Sequence, residues 1–310
     1  MTMQSPAPRR TFGWGDVFVL TTVMLWGASF TVIKSAYDEI TPLAFASVRF
    51  VIASLGMLLI LAVLRQPLAI ARRDLARVAA LGVFHVGLYQ IFFGIGLRYT
   101  TASNSILIIN TAPVITALLV WATRAESIGW RQAIGILLAA AGVVILIGAG
   151  GDVSTGHLKG DLLTLVGAWS YAVTPVMVLP LYRRYSTLSV MTVSVMCGTL
   201  LLVVVGLPDL LRQSWDLSPA AWGQLLYAAL GAGTLGYLFW YEGIRRIGPT
   251  RVAAYAYLIP PFGVWLAVTV LKEPFGLQHI LGAAVIITGV ALARWPARSV
   301  PATAAVSNSK

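Results

Sequence analysis

The residues of this chain that could do chemistry are polar and aromatic side chains set inside otherwise apolar sequence. His85, Tyr89, Phe92 and Gly96 recur at spacings of four, three and four, which places them on one helix face. His85 is the histidine that falls inside an apolar run, since His157 and His279 lie near the ends of theirs. It either lines a path or stays a neutral imidazole bonded to a neighbouring helix. Asn110 stands three residues before Pro113, and Tyr257 three before Pro260; both can hydrogen-bond a carboxylate or an amine. Pro113, Pro260 and Pro261 each remove a helical hydrogen bond, freeing the carbonyls of Ile109, Ala256 and Tyr257. Trp169 and Tyr171, with Tyr237, Trp240 and Tyr241, offer rings that can wall an apolar pocket or stack on a cation. The expected binding set is therefore His85, Tyr89, Asn110, Trp169, Tyr237 and Tyr257, with Pro113, Pro260 and Pro261 as hinges or kinks.

These groups suit binding and not bond-making. His85 could serve as a base, but there is no Gly-x-Ser-x-Gly elbow. All eleven carboxylates fall near the ends of apolar runs or between them, so no acid stands where a path would narrow. No catalytic residue, metal site or cofactor is expected. Two cations remain, Lys34 and Arg49. Arg49 lies about 10 Å along its run from Pro42, at 1.5 Å per residue. It could recruit a carboxylate; the favoured reading for both cations is structural pairing with Asp38, Glu39 or backbone carbonyls. Cys197 is the single cysteine and forms no intrachain disulfide.

The elements that must position these residues follow from composition. Hydrophobic residues make up 58% and charged residues 11%, against roughly 25% charged in a soluble domain. Mean hydropathy is +0.83. Ten windows are long enough for helices that cross a bilayer: 14–36, 42–64, 75–97, 101–122, 129–149, 159–181, 187–207, 222–244, 249–271 and 277–295. Helices satisfy their backbone internally, whereas barrel strands would be about half as long and alternate in polarity.

The stretch 96–143 is repeated at a fixed offset of 147 residues. Gly96, Arg98, Pro113, Glu126, Gly135 and Gly142 fall on Gly243, Arg245, Pro260, Glu273, Gly282 and Gly289. Asp16 and Asp161 open the first helix of each half. Five helices per copy is an odd number, so the second copy enters the membrane from the other side. The expected fold is an all-α integral membrane protein of ten transmembrane helices in two five-helix inverted-topology repeats. Its divisions are a tail at 1–13, repeats at 14–149 and 159–295 joined by 150–158, and a tail at 296–310, both tails disordered.

The net charge of +11 is not a nucleic-acid signal, because it is sorted by side. With the N-terminus in the cytoplasm, sixteen lysines and arginines fall on the inner side and five outside, with Arg49 in between. Both termini are then cytoplasmic, and anionic lipids are the partners of the inner basic loops. Gly135 and Gly142, like Gly282 and Gly289, stand seven apart and allow close backbone approach, within the monomer in preference to a dimer.

Trp26-Gly27-Ala28-Ser29-Phe30 followed by Lys34 resembles the first-helix signature of the drug/metabolite transporter superfamily, in its ten-helix EamA-type exporters. Pro42 with Arg49-Phe50, the run Tyr99 to Ser103, and Pro113, Glu126, Gly135 and Gly142 resemble later helices. Pro249, Pro260, Glu273, Gly282 and Gly289 repeat the pattern. The resemblance implies an exporter of small metabolites in a bacterial inner membrane, with amino acids bearing aromatic or other apolar side chains as the leading substrates and alternating access as the mechanism. Sugar-phosphate or organic-cation transport and, more remotely, an intramembrane enzyme remain alternatives.

Overall fold

The computed structural model describes residues 12–122, 130–148 and 155–293, and among these there is no strand. The helical runs are α1 (Trp14–Ala36), α2 (Pro42–Val63), α3 (Arg72–Tyr99), α4 in two pieces (α4a, Ala102–Ile109; α4b, Ala112–Ala122) and α5 (Trp130–Gly148). Then follow α6 (Thr155–Ala172 and Thr174–Tyr182), α7 (Thr187–Arg212), α8 (219–247), α9 in two pieces (α9a, Pro249–Ala256; α9b, Ile259–Val270) and α10 (Leu277–Ala293). Among the described residues six helices are long and apolar enough to cross a membrane, and Trp130–Leu146, Ile259–Val270 and Leu277–Leu292 are shorter apolar helices. Glu126 and residues 1–11, 149–154 and 294–310 lie outside the described residues.

Local signals start the helices where the sequence places them. Asp16 reaches back to the Gly13 amide at 2.9 Å at the head of α1. Thr101, Ser186 and Ser218 accept from the amides of Asn104, Ser189 and Ala221 at the heads of α4, α7 and α8. Pro42 and Pro219 occupy first-turn positions, where the missing N–H costs nothing. Gly248, with φ of +82°, turns α8 into α9 in a single residue, a conformation that suits glycine.

Two departures from regular helix carry the architecture. The prolines do not merely bend their helices. Each opens a new piece, so α4 is interrupted at Asn110-Thr111 and α9 at Tyr257-Leu258, positions 147 apart. The second departure was not anticipated: α3 contains a π-helical turn at Val83–Leu88 and α8 one at Tyr227–Leu235. An extra residue per turn re-aims every side chain beyond it, and such turns frequently mark functional sites.

Packing pairs the two halves of the chain. α1 lies against α8 and α9, while α6 lies against α3 and α4; α2 packs on α7, and α5 on α10. Small residues let these backbones touch. A Cβ on Gly289 would stand 2.4 Å from the Ala139 nitrogen, and one on Gly142 would stand 2.8 Å from the Ile286 nitrogen. Between α2 and α7 the hydroxyls of Ser54 and Thr199 meet at 3.0 Å, and Ser47 donates to the Leu202 carbonyl at 3.0 Å. The buried apolar core runs through Phe30, Ile33, Phe45, Phe93 and Ile106.

Candidate functional site

A cavity of about 230 Å³ lies where the halves meet. A water needs about 10–15 Å³ of such space, so a small molecule of roughly fifteen non-hydrogen atoms fits. Trp26, Ser29 and Phe30 of α1, Tyr89, Gln90 and Phe93 of α3, and Tyr171 of α6 form much of its wall. Tyr237 and Trp240 of α8 complete the aromatic lining. Asn110, Pro113, Ala256 and Ile259 bring both helix breaks to its edge, and Arg49 enters from α2.

The aromatic wall is ordered by contacts traceable to the π-helical segment of α8. The Trp26 indole donates from Nε1 to the Ala232 carbonyl at 3.0 Å. Its ring then sits 5.5 Å from Tyr237 and 5.0 Å from Trp240. On the far side Tyr89 meets Tyr171 at 5.2 Å and Phe93 at 5.6 Å. These separations are those of favourable ring pairs, so the cavity is pre-shaped.

Of the residues singled out from sequence, Arg49, Tyr89, Asn110, Pro113, Tyr171, Tyr237 and Trp240 reach this cavity. His85 is 5% exposed and stands one layer behind, its ring 5.8 Å from Tyr171 and 6.0 Å from Tyr237. Its Nδ1 is buried without a hydrogen-bond partner. Tyr257 and Pro260 line a small adjoining pocket with Asn110 and Pro113, while Pro261 faces an apolar recess beyond. Trp169 does not join the site: it is 44% exposed on the outside of α6, and Tyr171, two residues on, takes the inward position.

The expected α3 face is split as well. Tyr89 and Phe93 point to the cavity, but Gly96 packs on Gly160 and Thr164 of α6, and Phe92 lies by Gly167. The π turn at Val83–Leu88 contains His85 and ends just before Tyr89, so it rotates His85 away from the face that a regular 3.6-residue period would give it, while the other four lie in the regular helix beyond. Gln90, Phe93 and Trp26 were missed as lining because only tertiary packing tells an inward side chain from a lipid-facing one. Lys34 pairs with backbone, donating to the Leu97 carbonyl at 3.0 Å and also to the Thr100 carbonyl. Among the described residues Arg49 donates from Nε to the Ala228 carbonyl at 3.2 Å, and neither Asp38 nor Glu39 pairs with it.

Polar clusters tie the two halves together at opposite ends of α1. At one, the buried Glu273 carboxylate accepts from the amides of Ala102 and Ser103 at 2.6 and 3.0 Å and from the Ser103 hydroxyl at 2.7 Å, capping α4a. Asp161 joins it, accepting from Thr100 Oγ1 at 2.5 Å and Asn104 Nδ2 at 3.2 Å. At the opposite end Asp16 accepts from the Tyr255 hydroxyl at 2.8 Å and pairs with Arg251 at 2.7 Å, holding α9a. The aspartate that opens each half thus grips the broken helix of the other. Near the Glu273 end, Glu39 accepts from the Ser218 amide and hydroxyl at 2.8 and 2.6 Å, which holds its carboxyl below the usual carboxylate range.

A multi-helix membrane protein whose halves enclose an aromatic cavity beside paired helix breaks belongs to the solute-transporter class. Comparison with known proteins is specific. The EamA-like transporter family matches residues 13–148 and again 158–295, and the chain belongs to that family. It is similar to an "Uncharacterized transporter" of Archaeoglobus fulgidus, 26% identical over 88% of this chain and 96% of that one. YetK of Bacillus subtilis, likewise named an uncharacterized transporter, is 28% identical over 88% and 84%. A "Probable terminal-alkyne amino-acid exporter" of Streptantibioticus cattleyicolor is 27% identical over 88% and 91%. A solved crystal structure, 18% identical, shares the fold with a TM-score of 0.62 over 90% of this chain and 96% of that one. The protein is therefore a multi-pass, membrane-embedded transporter.

Proposed function

We propose that the chain exports small metabolites, chiefly amino acids with aromatic or other apolar side chains, by alternating access around the central cavity. The observation that carries this reading is the cavity itself, lined by both halves and bordered by both helix breaks. The recess of about 530 Å³ beside Pro261 and Trp265 is lined almost wholly by apolar side chains and offers no such recognition. The aromatic walls suit an apolar side chain, and the name of the Streptantibioticus relative points to the same class. The relatives' names also favour transport over enzymatic activity.

Two matches to one family model, together with the exchanged helix contacts, support two inverted five-helix repeats. Alternating access would then exchange closure at the Glu273 cluster for closure at the Asp16 cluster. The sorting of basic residues favours an inner-membrane orientation, both termini cytoplasmic and the Asp16 end inside. The protein works as a monomer and needs no cofactor in this reading.

The test is counterflow of labelled phenylalanine into liposomes carrying the purified chain, competed by amino acids, sugar phosphates and organic cations. Amino acids with apolar side chains should compete, and joint replacement of Trp26 and Tyr237 by alanine should abolish uptake. Competition by sugar phosphates or organic cations, with every amino acid inert, sinks the substrate assignment. Normal transport by His85→Ala would remove His85 from the pathway.

A further inference from the structure

Arg49 is 8% exposed, and it meets the cavity directly. Its environment is unusual for a buried cation. Nε donates to the Ala228 carbonyl at 3.2 Å, and Cζ lies 5.0 Å from the centroid of the neighbouring Phe50 ring. A guanidinium has five N–H donors in a fixed fork, so one bond leaves the Nη pair over. Neither Nη is among the atoms sealed away without a partner. Among the described residues no carboxylate stands within 4.0 Å of Arg49, and the cavity lining contains no Asp or Glu.

A structural role would look different. Lys34, a cation of α1, is tied to two backbone carbonyls at the head of α4a. α7, which stands where α2 would in the second half, runs to Arg212 without a basic residue, so this helix position packs without a cation. Burying an ion is unfavourable unless an opposite charge and hydrogen bonds compensate it. Here the protein provides one carbonyl and aromatic neighbours, and Arg49 borders a cavity of substrate size.

We infer that Arg49 seats the carboxylate of the transported molecule, so that the substrate is a monocarboxylate or zwitterion with an apolar or aromatic body, and not an organic cation. The inference rests on reading the central cavity as the transport site. The Nη donors bind the carboxylate oxygens as a charge-assisted pair, and the body of the substrate lies among Trp26, Tyr89, Tyr237 and Trp240. A site carrying one positive charge becomes neutral when a monocarboxylate binds. A cationic amine would instead meet like charge at short range. The amino group of a zwitterion is left to the ring faces and the amide oxygens of Gln90 and Asn110, a weaker set, so the carboxylate dominates recognition.

The test compares matched ligands on the full chain in phosphatidylethanolamine/phosphatidylglycerol liposomes. Phenylalanine and 3-phenylpropionate should compete for labelled phenylalanine counterflow. Phenylalaninamide and phenethylamine, which lack the carboxylate, should be at least about tenfold weaker. Arg49→Gln should lower affinity for phenylalanine by roughly 10- to 100-fold and erase the preference for acid over amide. Arg49→Lys keeps the charge without the fork and should fall between. Without ligand, Arg49→Gln should melt no lower than the parent chain, which a structural cation would not allow. Equal competition by acid and amide in the parent chain overturns the inference while leaving the transport reading intact, as does an Arg49→Gln protein that retains the preference. Absence of counterflow for any carboxylate, with another class of solute succeeding, overturns both. Should Arg49→Gln fail to fold, the acid–amide comparison on the parent chain still decides the matter.

Discussion

Replacing Glu273 by alanine should unlatch the end of the molecule that it caps. Its carboxylate serves the Ala102 amide at 2.6 Å, the Ser103 amide at 3.0 Å and the Ser103 hydroxyl at 2.7 Å. Ala102 and Ser103 are both fully buried, so water cannot take the carboxylate's place while the structure stays closed. Hydrogen bonds to a charged group contribute about 1.5–3 kcal/mol each. Counting only the two amides at the low end gives about 3 kcal/mol, to which the charge at a helix N-terminus adds about 0.3–1 kcal/mol. A change of about 3 kcal/mol shifts the opening equilibrium on the order of 100-fold. Hydrogen–deuterium exchange read by mass spectrometry on peptides spanning 100–106 measures that opening directly, because those amides exchange only when the cap releases them. Glu273→Ala should accelerate exchange there on the order of 100-fold, with peptides from α2 and α7 little changed. Glu273→Gln, which keeps one accepting oxygen, should fall between. Acceleration of less than about threefold in Glu273→Ala would refute the reasoning, since the carboxylate would then be holding nothing that water or neighbouring groups could not hold.

Other consequences can be checked on the same preparation. Gly289→Ala places a methyl 2.4 Å from the Ala139 nitrogen and 2.6 Å from the Gly135 carbonyl. Forcing α5 and α10 apart should cost about 1–3 kcal/mol and lower the melting temperature. Gly223→Ala, where nothing lies within 4 Å, should be neutral or slightly stabilising. Glu39 has its folded-state carboxyl lowered by the Ser218 hydroxyl and amide. The stability it lends to the contact between residues 37–41 and 213–218 is therefore complete above the ordinary glutamate value of 4.5 and is lost as pH falls through the lowered value. The difference in melting temperature between the parent chain and Glu39→Gln should accordingly shrink on acidification; a constant difference would remove Glu39 from the pH response. Trp169→Ala should leave counterflow within about twofold, because a surface side chain away from specific features contributes little. Tyr171→Ala removes part of the cavity wall and should reduce transport severely; the reverse ranking would mean that the cavity is not the path.

The sequence by itself determined whatever depends on local composition and spacing. Long apolar runs read as membrane helices because unpaired backbone cannot lie in lipid. The interruptions of α4 and α9 were legible because proline acts within its own turn, although full breaks at Asn110-Thr111 and Tyr257-Leu258 replaced the simple kinks expected. The repeat at an offset of 147 was legible as well, since it is a property of spacing along the chain. Tertiary structure alone decided which side chains meet. Trp169 and Tyr171 are equally aromatic and two residues apart; only the packing of α6 against α3 and α4 turns Tyr171 inward and leaves Trp169 exposed. Within the regular stretch Tyr89–Tyr99, packing against α6 took Phe92 and Gly96 and left Tyr89 and Phe93 in the cavity. Arg49 gave no local sign of whether Asp38 or Glu39 would reach it. Those carboxylates lie elsewhere, Glu39 on Ser218, and Arg49 is left bordering the cavity between the halves. Charges pair by distance in space, and a spacing along the chain does not fix that distance once helices from opposite halves interleave.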